Sequence, residues 1–210
     1  MRWELFLAFL SAALVVQLVP GPGMLFILAN GIAGGPRAGV AAACGAATGM
    51  IFHTFAAALG LAALFAHAPS AYDALRIVGA VYLLWLAIAH FRSASAGGLA
   101  EPSHEARSVR RVFLRAWVNN LANPKVILFY LAFLPQFIAP KAGSPTLQFL
   151  VLGFVFLLLG LVIDLALGAF AGRIGDWLRT RPAFRKGIDW LAGTIMGALG
   201  IRLLISGRHS

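Results

Sequence analysis

The sequence predicts an all-α, polytopic membrane protein of six transmembrane helices, arranged as two inverted three-helix repeats. Three observations support this prediction. Apolar runs of about 20 residues with few or no charges, a length that spans a bilayer, fill most of the 210 residues. Two of the runs are interrupted by proline, at 20–22 and at 123–125. These interrupted runs open two halves that each hold three apolar segments.

The composition leaves too little polar surface for a soluble domain. Hydrophobic residues make up 60% of the chain and charged residues 11%, and the mean hydropathy is +0.86. The net charge of +10 does not indicate nucleic-acid binding, because the basic residues lie in short connectors, where they set orientation and contact anionic lipid. The one cysteine, Cys44, excludes an intrachain disulfide and a relay of paired thiols. We expect no cofactor.

Each span follows from an apolar run and the residues that punctuate it. The first run lacks the clean basic start and cleavage site of a signal peptide and continues past Pro22, so we interpret it as a retained span. Connectors at 34–37 and 67–70, a turn at 140–145 and a basic segment at 172–187, expected along the membrane interface, separate later runs. The predicted spans are 4–30, 38–65, 71–91, 112–138, 146–171 and 188–206.

The two halves predict an inverted-topology repeat within a single transmembrane transporter domain at 1–210. Repeat 1 covers about 1–91 and repeat 2 about 112–206, with a polar loop at 92–111 between them. Because three is an odd number, the second half enters the membrane from the other side. Interrupted helices at corresponding positions of two such halves indicate a transport site near the midplane.

The distribution of Lys and Arg predicts the orientation in a bacterial inner membrane. The 1–2, 3–4 and 5–6 connectors hold eleven of these residues and the opposite side holds five, with Lys125 left out as intramembrane. The 92–111 loop is therefore expected in the cytoplasm and both termini in the periplasm. Five spans remain the alternative if one short helix does not cross.

The first break, Pro20-Gly21-Pro22, removes two backbone donors from the first span. The carbonyls of Val16 and Leu18 lose their helical partners. Free carbonyls at membrane depth are tolerated only against protein or a water-filled cavity, which predicts an unwound stretch that lines a site. Gln17 is placed to bond these carbonyls. The alternative is a kink used only for packing.

The second break, Asn123-Pro124-Lys125, places amides and a cation together in span 4. Pro124 frees the carbonyl of Asn120, and Asn119, Asn120 and Asn123 add amides within about one turn. A charge near the centre of a span costs about 2.5–3.5 kcal/mol or more, and that cost is tolerated when the ammonium has a partner or a watery path. We predict substrate-binding residues at both breaks, with a structural ion pair as the alternative for Lys125.

Two further groups are candidates for coupling transport to protons. Asp164 is the only carboxylate deep in a predicted span, and it could pair with Lys125, carry a proton, or do both in alternation. His53 lies near the centre of span 2, where a lone histidine is more often a packing residue. The small-xxx-small pairs predict helix contacts first and leave a homodimer open. These pairs are Gly45/Gly49, Gly168/Gly172 and Gly193/Gly197.

Other classes of protein fit less well. A membrane enzyme needs a nucleophile–base pair or metal ligands at membrane depth, and the scattered histidines supply neither. Efflux of a heavy-metal cation such as cadmium is the more serious alternative. Soft cations bind Cys, Met or His, and span 2 offers Cys44, Met50 and His53, although nine residues separate Cys44 from His53.

The motifs at the two breaks resemble those of the LysE/RhtB family of bacterial amino-acid exporters, and the resemblance covers essentially the whole chain. The matching pieces are Val19-Pro-Gly-Pro-Gly-Met24, the glycine-rich stretch Gly31–Gly49, and Asn119-Asn-Leu-Ala-Asn-Pro-Lys125 with its continuation to Phe137. The resemblance implies export of amino acids or derivatives from the cytoplasm, driven by the proton-motive force. It places the substrate site at 20–22 and 123–125 and matches Asp164 to an acidic residue of the fifth span.

A mechanism follows as a hypothesis. The carboxylate of a zwitterion would meet Lys125 or the N-terminus of a half-helix, whose partial positive charge favours anions. Its ammonium would meet the freed carbonyls near Val16 and Leu18, or Asp164. A proton arriving at Asp164 from outside would weaken that second contact and promote release or reset.

Overall fold

The structure is a computed structural model that describes residues 3–61, 69–96 and 108–205. Every regular element in these ranges is helical. The helices are α1 (Trp3–Leu18), α2 (Pro22–Ala56), α3 (Pro69–Ala96), α4 (Val109–Leu121), α5 (Pro124–Leu128), α6 (Pro145–Ala169), α7 (Ala171–Arg179) and α8 (Pro182–Ile205). A π-helical turn, Ala57–Leu61, extends α2, while α5 continues through a π-helical turn, Phe129–Phe133, and a 3-10 turn, Leu134–Phe137.

Three helical stretches are long and apolar enough to cross a membrane: Pro22–Gly60, Pro145–Ala169 and Lys186–Ile205. Three shorter apolar helices accompany them in the described part of the chain: Trp3–Leu18, Ile77–Arg92 and Pro124–Phe137. The all-helical fold is therefore as predicted, while six crossings and the inverted repeat remain predictions. Residues 67–68 of the predicted connector at 67–70 and residues 97–107 of the predicted 92–111 loop lie outside the described residues, while α3 already begins at Pro69.

Helix α2 is two helical legs joined by a sharp turn at Gly35. Gly35 has φ 75° and ψ −176°, a backbone conformation open to glycine but strained for other residues. A Cβ added to Gly31 would lie 3.4 Å from the Cα of Gly39, whereas eight residues of straight helix span about 12 Å. The chain therefore reverses direction here, which confirms the predicted turn at 34–37. The two legs, 22–34 and 36–56, are called the first and second legs of α2.

Glycines bring the helices of the bundle into close contact. The second leg of α2 packs between α4 and α6, and α3 packs along α8. Gly39 meets the backbone of Gly168, Gly45 meets the carbonyl of Phe113, and Gly193 meets the ring of Phe91. Small residues allow such backbone approach in a lipid-embedded protein. The predicted pairs are thus helix contacts within the chain, with the exception of Gly172, which has nothing within 4 Å of an added Cβ.

The turn before α6 is held by one buried side chain. The Gln148 amide accepts a hydrogen bond from the Ala139 N–H at 2.9 Å and donates to the carbonyls of Ala139 and Gly143 at 3.0 and 3.1 Å. Gly143 has φ 129°, which a residue with a side chain rarely adopts. This confirms the predicted turn at 140–145 and explains why a glutamine is buried in an apolar helix.

The outer faces of α3, α6 and α8 carry large apolar side chains. Val78, Trp85, Leu158, Val162 and Leu191 are each more than half exposed. A water-soluble bundle of this size would cover such a surface with polar residues. Apolar outer faces are expected where lipid is the solvent.

Candidate functional site

The first helix break is a short extended segment between α1 and α2. Helix α1 ends at Leu18, and the Val19 N–H still donates to the Val15 carbonyl at 3.2 Å. Gly21 is extended, with φ −150° and ψ 177°, and α2 begins at Pro22. Proline suits the first helical position because its missing N–H would have no partner there. The break predicted at 20–22 is therefore present as a full interruption.

The second break separates α4 from α5. Asn123 is extended, and its side-chain oxygen accepts a hydrogen bond from the Lys125 N–H at 3.1 Å, so it caps the helix that Pro124 begins. The Asn120 carbonyl, which Pro124 leaves without its helical partner, accepts instead from the Asn123 N–H at 3.0 Å. The local sequence thus both breaks and restarts the helix.

The two breaks meet. The Lys125 Nζ donates to the Val19 carbonyl oxygen at 2.5 Å, across 106 residues of sequence. A Cβ added to Gly21 would lie 3.1 Å from the Lys125 Cδ, and one added to Gly23 would lie 3.1 Å from the Asn123 Nδ2. Glycines in the first break therefore make room for the side chains of the second. The Lys125 ammonium therefore bonds the Val19 carbonyl, and the contact of a substrate ammonium with the carbonyls near Val16 and Leu18 remains a prediction.

A cavity of about 40 Å³ lies where the breaks meet, which is room for about three water molecules. Lys125 and Asp164 both line it, so an ammonium and a carboxylate face one space and interact electrostatically. In the described part of the chain no direct ion pair joins the two groups, and the Lys125 ammonium is bonded to Val19 instead. The residues lining the cavity are Gln17, Gly21, Gly23, Met24, Ala46, Met50, Asn120, Asn123, Lys125, Val126, Phe156 and Asp164.

Of the predicted substrate-binding residues, the structure brings Gly21, Asn123 and Lys125 to the cavity wall. The three predicted prolines do not line the cavity but interrupt the helices beside it: Pro20, Pro22 and Pro124. Asn119, also predicted, is half-buried and does not line the cavity, whereas its neighbour Asn120 does. The rotation of α4 explains this, because residue 119 is turned about 100° from residue 120 about the helix axis, and it is Asn120 that packs against Gly49 on α2.

The side chain of Asn120 is buried, but its oxygen lacks a hydrogen-bond donor within the described part of the chain. It is 4% exposed, and its Oδ1 has no hydrogen-bond partner among the described residues. That oxygen lies over Gly49, where an added Cβ would approach it to 2.6 Å. A buried amide oxygen without a donor is rare and unfavourable, so this oxygen needs a partner that the described residues do not supply.

His53 lies behind Asn120 and does not line the cavity. Its Nε2 is 3.3 Å from the Asn120 carbonyl oxygen, and its ring stacks on Tyr130 with centroids 5.7 Å apart. With a proton on Nε2, His53 donates to the carbonyl that Pro124 frees. The contacts are those of a residue that supports the second break, and the predicted coupling role remains a prediction.

Beyond His53 lies a buried polar cluster formed by Thr54 and Tyr130. Their hydroxyl oxygens are 2.9 Å apart, and the Tyr130 hydroxyl is 3.2 Å from the Gly153 carbonyl oxygen. A Cβ at Gly153 would meet the Thr54 side chain at 2.6 Å. The cluster ties the second leg of α2 to α6 and to the turn after α5.

Gln17 lines the cavity. The sequence predicted that it would bond the freed carbonyls of its own helix, and this prediction is wrong. Its Nε2 donates to the Phe156 carbonyl on α6 at 3.1 Å, with the Met50 sulfur at 3.9 Å. The side chain points across to a neighbouring helix, which the sequence could not reveal because the rotation of α1 is set by packing.

The cavity has no evident metal ligand set. The described residues include no group of three or more His, Cys, Asp or Glu side chains that could hold a metal ion. Cys44 is exposed and does not line the cavity. The Lys125 ammonium would also repel a cation placed beside Asp164.

The sequence matches the family model of the LysE type translocator over residues 14–207. It is 34% identical over 211 residues to the homoserine/homoserine lactone efflux protein of Salmonella typhimurium, across 100% of both chains. It is 36% identical to the leucine efflux protein of Enterobacter sp. (strain 638), across 94% of each chain. An uncharacterized membrane protein of Vibrio cholerae is 32% identical, across 95% of this chain and 96% of that one. No solved structure matches this chain.

Proposed function

This chain belongs to the family of LysE type translocators, and on that premise we propose that it exports neutral amino acids or their derivatives from the bacterial cytoplasm, driven by the proton-motive force. One observation carries the proposal: an ammonium and a carboxylate, Lys125 and Asp164, face one cavity at the meeting point of two broken helices. A site that binds a zwitterion needs a cation for its carboxylate and an anion for its ammonium. Relatives named for homoserine and leucine efflux support substrates without a charged side chain.

The substrate carboxylate is assigned to the Lys125 side of the cavity. Gly23 and Met24, which line it, lie in the first turn of α2, where backbone N–H groups have no partner within the helix. The positive end of the helix dipole adds to the attraction. When a carboxylate binds Lys125, the Val19 carbonyl loses its donor and becomes free for the substrate ammonium.

The substrate ammonium is assigned to Asp164 and the released Val19 carbonyl. Charge-assisted hydrogen bonds to a carboxylate are stronger than those to neutral groups, so the charge state of Asp164 controls this contact. A proton arriving from the periplasm would neutralise Asp164, weaken the contact and release the substrate. Return of that proton to the cytoplasm would restore the charge and complete an exchange of substrate for proton.

Transport requires the cavity to open. Its volume of about 40 Å³ is well below the 300 Å³ or so of pockets that hold small ligands. The Lys125–Val19 bond joins the two halves and holds them together in this closed state. Substrate that displaces this bond would loosen the junction, which supports alternating exposure by movement of one half against the other.

Six crossings account for the positions of the breaks and the turn. The reversal at Gly35 divides α2, so that α1 with the first leg forms one crossing and the second leg forms the next. Helices α3, α4 with α5, α6 and α8 would supply the remaining four, and each half would then open on a broken crossing. The meeting of the two breaks near the centre is expected for an inverted repeat.

Basic side chains at one end of the bundle support the proposed orientation. Contacts of Gly39 with Gly168, and of Gly45 with Phe113, place the Gly35 turn, the start of α4 and the end of α6 at the same end. Exposed basic residues on these segments and on α7 are Arg37, Arg110, Arg111, Arg115 and Arg173. Basic ends face the cytoplasm, so this end of the protein in the inner membrane is cytoplasmic and the termini are periplasmic. Lipid contacts the outer faces, and a homodimer remains a prediction.

Transport in proteoliposomes tests the proposal. Vesicles loaded with labelled L-homoserine or L-leucine should release it when an imposed pH gradient drives protons inward, and exchange of internal for external substrate should occur without a gradient. Asp164→Asn should keep exchange at saturating substrate, with a weaker apparent affinity, and should lose the response to the gradient. Lys125→Met should lose both.

Matched controls are the same substitutions at exposed sites, Asp176→Asn and Lys186→Met, which should behave as wild type. Gradient-driven export by Asp164→Asn at the wild-type rate would refute its coupling role. Wild-type exchange by Lys125→Met would refute the carboxylate contact. No release of either amino acid by the wild-type protein would refute the proposed function, and cadmium release would then favour the metal alternative.

A further inference from the structure

The amide of Asn120 differs from the other polar groups of the cavity because its oxygen is fully buried without a hydrogen-bond donor among the described residues. We propose that Asn120 selects the substrate side chain by hydrogen-bonding a hydroxyl group, so that hydroxylated neutral amino acids are preferred to apolar ones of equal size. The inference rests on the proposed export of amino acids and adds to it the residue that distinguishes between them.

The two other amides that line the cavity each make a side-chain hydrogen bond to the protein. Gln17 donates to the Phe156 carbonyl, and the Asn123 side-chain oxygen accepts from the Lys125 N–H. Within the described part of the chain, Asn120 has its carboxamide oxygen buried without a donor. A ligand that supplies the missing hydrogen bond removes the penalty of that unpaired group.

The remaining lining leaves Asn120 as the group that meets the substrate side chain. Lys125 and Asp164 are assigned to the charged head of the zwitterion, and among the described residues no further ionisable group lines the cavity. The rest of the lining is apolar, apart from the amides and the glycines: Met24, Ala46, Met50, Val126 and Phe156. A charged side chain would find no counter-charge here, whereas an uncharged side chain with one polar group would fit.

The Asn120 amide is fixed in position before any substrate arrives. Its backbone carbonyl is held by the Asn123 N–H at 3.0 Å and faces His53 Nε2 at 3.3 Å. Its side-chain oxygen occupies the space that Gly49 leaves by lacking a Cβ. Groups held in this way discriminate well, because little reorganisation is needed on binding.

A hydroxyl suits this amide better than a methyl group does. A carboxamide both donates and accepts, and so does a hydroxyl. A site built around a buried hydrogen-bonding group rejects the analogue that leaves the group unpaired, while an apolar pocket discriminates weakly against an added hydroxyl. Preference should therefore follow the hydroxyl rather than the size of the side chain.

L-Homoserine and L-norvaline test this, since they differ by a hydroxyl in place of a terminal methyl group. In proteoliposomes, wild-type protein should prefer homoserine in exchange assays by about fivefold, the gain of one net hydrogen bond. Asn120→Leu should lower the homoserine-to-norvaline ratio to about one or reverse it, with norvaline exchange retained. Asn119→Leu, a change of the neighbouring amide that does not line the cavity, should keep the wild-type ratio.

A second variant changes the residue on α2 that packs against the Asn120 amide. Gly49→Ala places a methyl group against the Asn120 oxygen and should lower the ratio in the same direction. If neither variant can be purified in folded form, competition on the wild-type protein decides, because norvaline should inhibit homoserine exchange more weakly than homoserine itself does.

Equal rates for both amino acids in the wild type, or an unchanged ratio in Asn120→Leu, would overturn the role of Asn120 and leave the exporter proposal intact. A wild-type protein that exchanges neither amino acid would overturn both proposals.

Discussion

Replacement of Gly168 by alanine tests how the contact between α2 and α6 positions the site. A Cβ at Gly168 would lie 2.5 Å from the Gly39 carbonyl carbon and 2.6 Å from its oxygen, both backbone atoms. Ordinary contact begins at 3.4 Å, so the helices must separate by about 1 Å. Overpacking of this kind costs about 1–3 kcal/mol, and the better helix propensity of alanine returns about 1 kcal/mol. Because backbone atoms cannot rotate out of the way, the upper part of that range applies, about 2–3 kcal/mol, and we expect the free energy of unfolding to fall by about 1–2 kcal/mol.

Gly172→Ala is the matched control, since both glycines belong to the same small-xxx-small pair. Nothing lies within 4 Å of a Cβ at Gly172, so this substitution should leave the free energy of unfolding unchanged or raise it slightly. Unfolding of both purified variants by SDS in mixed micelles gives the comparison. Equal stability of Gly168→Ala and the wild type, or an equal loss in Gly172→Ala, would refute the packing argument.

The same substitution should also reduce transport. Asp164 is one helical turn before Gly168, so a shift of α6 away from α2 moves the carboxylate relative to Gly21 and Lys125. Homoserine exchange by Gly168→Ala should therefore be slower than that by Gly172→Ala at equal amounts of protein. Wild-type exchange despite a measured loss of stability would mean that the site tolerates this displacement.

Three further substitutions probe other parts of the fold, each by SDS unfolding. Gly35→Ala forces a side chain into a backbone region open to glycine and should cost about 1–3 kcal/mol; an unchanged midpoint would contradict the sharp turn. Tyr130→Phe removes a buried hydroxyl that contacts Thr54 at 2.9 Å and should cost about 1 kcal/mol, so a stabilised variant would argue against the polar cluster. Gln148→Leu removes three hydrogen bonds to the turn at 139–143 and should cost about 1–3 kcal/mol; no loss would mean that solvent replaces them.

Several features could be predicted because they depend on local covalent structure. Proline lacks a backbone N–H wherever it stands, so the interruptions at 20–22 and 123–125 follow from the sequence without knowledge of the fold. The turn at 34–37 follows in the same way from two glycines and a proline. Long apolar runs without charges form helices in any apolar environment, which is why the helices could be predicted, with bounds that differ from those of the structure by up to six residues at the start of α8.

The choice between neighbouring residues could not be predicted in this way. Asn119 and Asn120 are alike in sequence, and the rotation of α4 about its axis, set by contacts of Gly45 and Gly49 on α2, turns Asn120 to the cavity. A sequence signal existed, because Asn120 is the residue whose carbonyl Pro124 frees, but nothing in the sequence shows which face of α4 lies inward.

The sequence by itself determined that the helices break, where they break, and that a cation, a carboxylate and amides lie within long apolar runs. Only the tertiary structure decided that the breaks meet, that Lys125 bonds the Val19 carbonyl, and that Asp164 faces the same space. The physical reason is the distance along the chain over which each effect acts. A missing N–H acts within one turn of helix, whereas a contact across 106 residues depends on the packing of helices against one another.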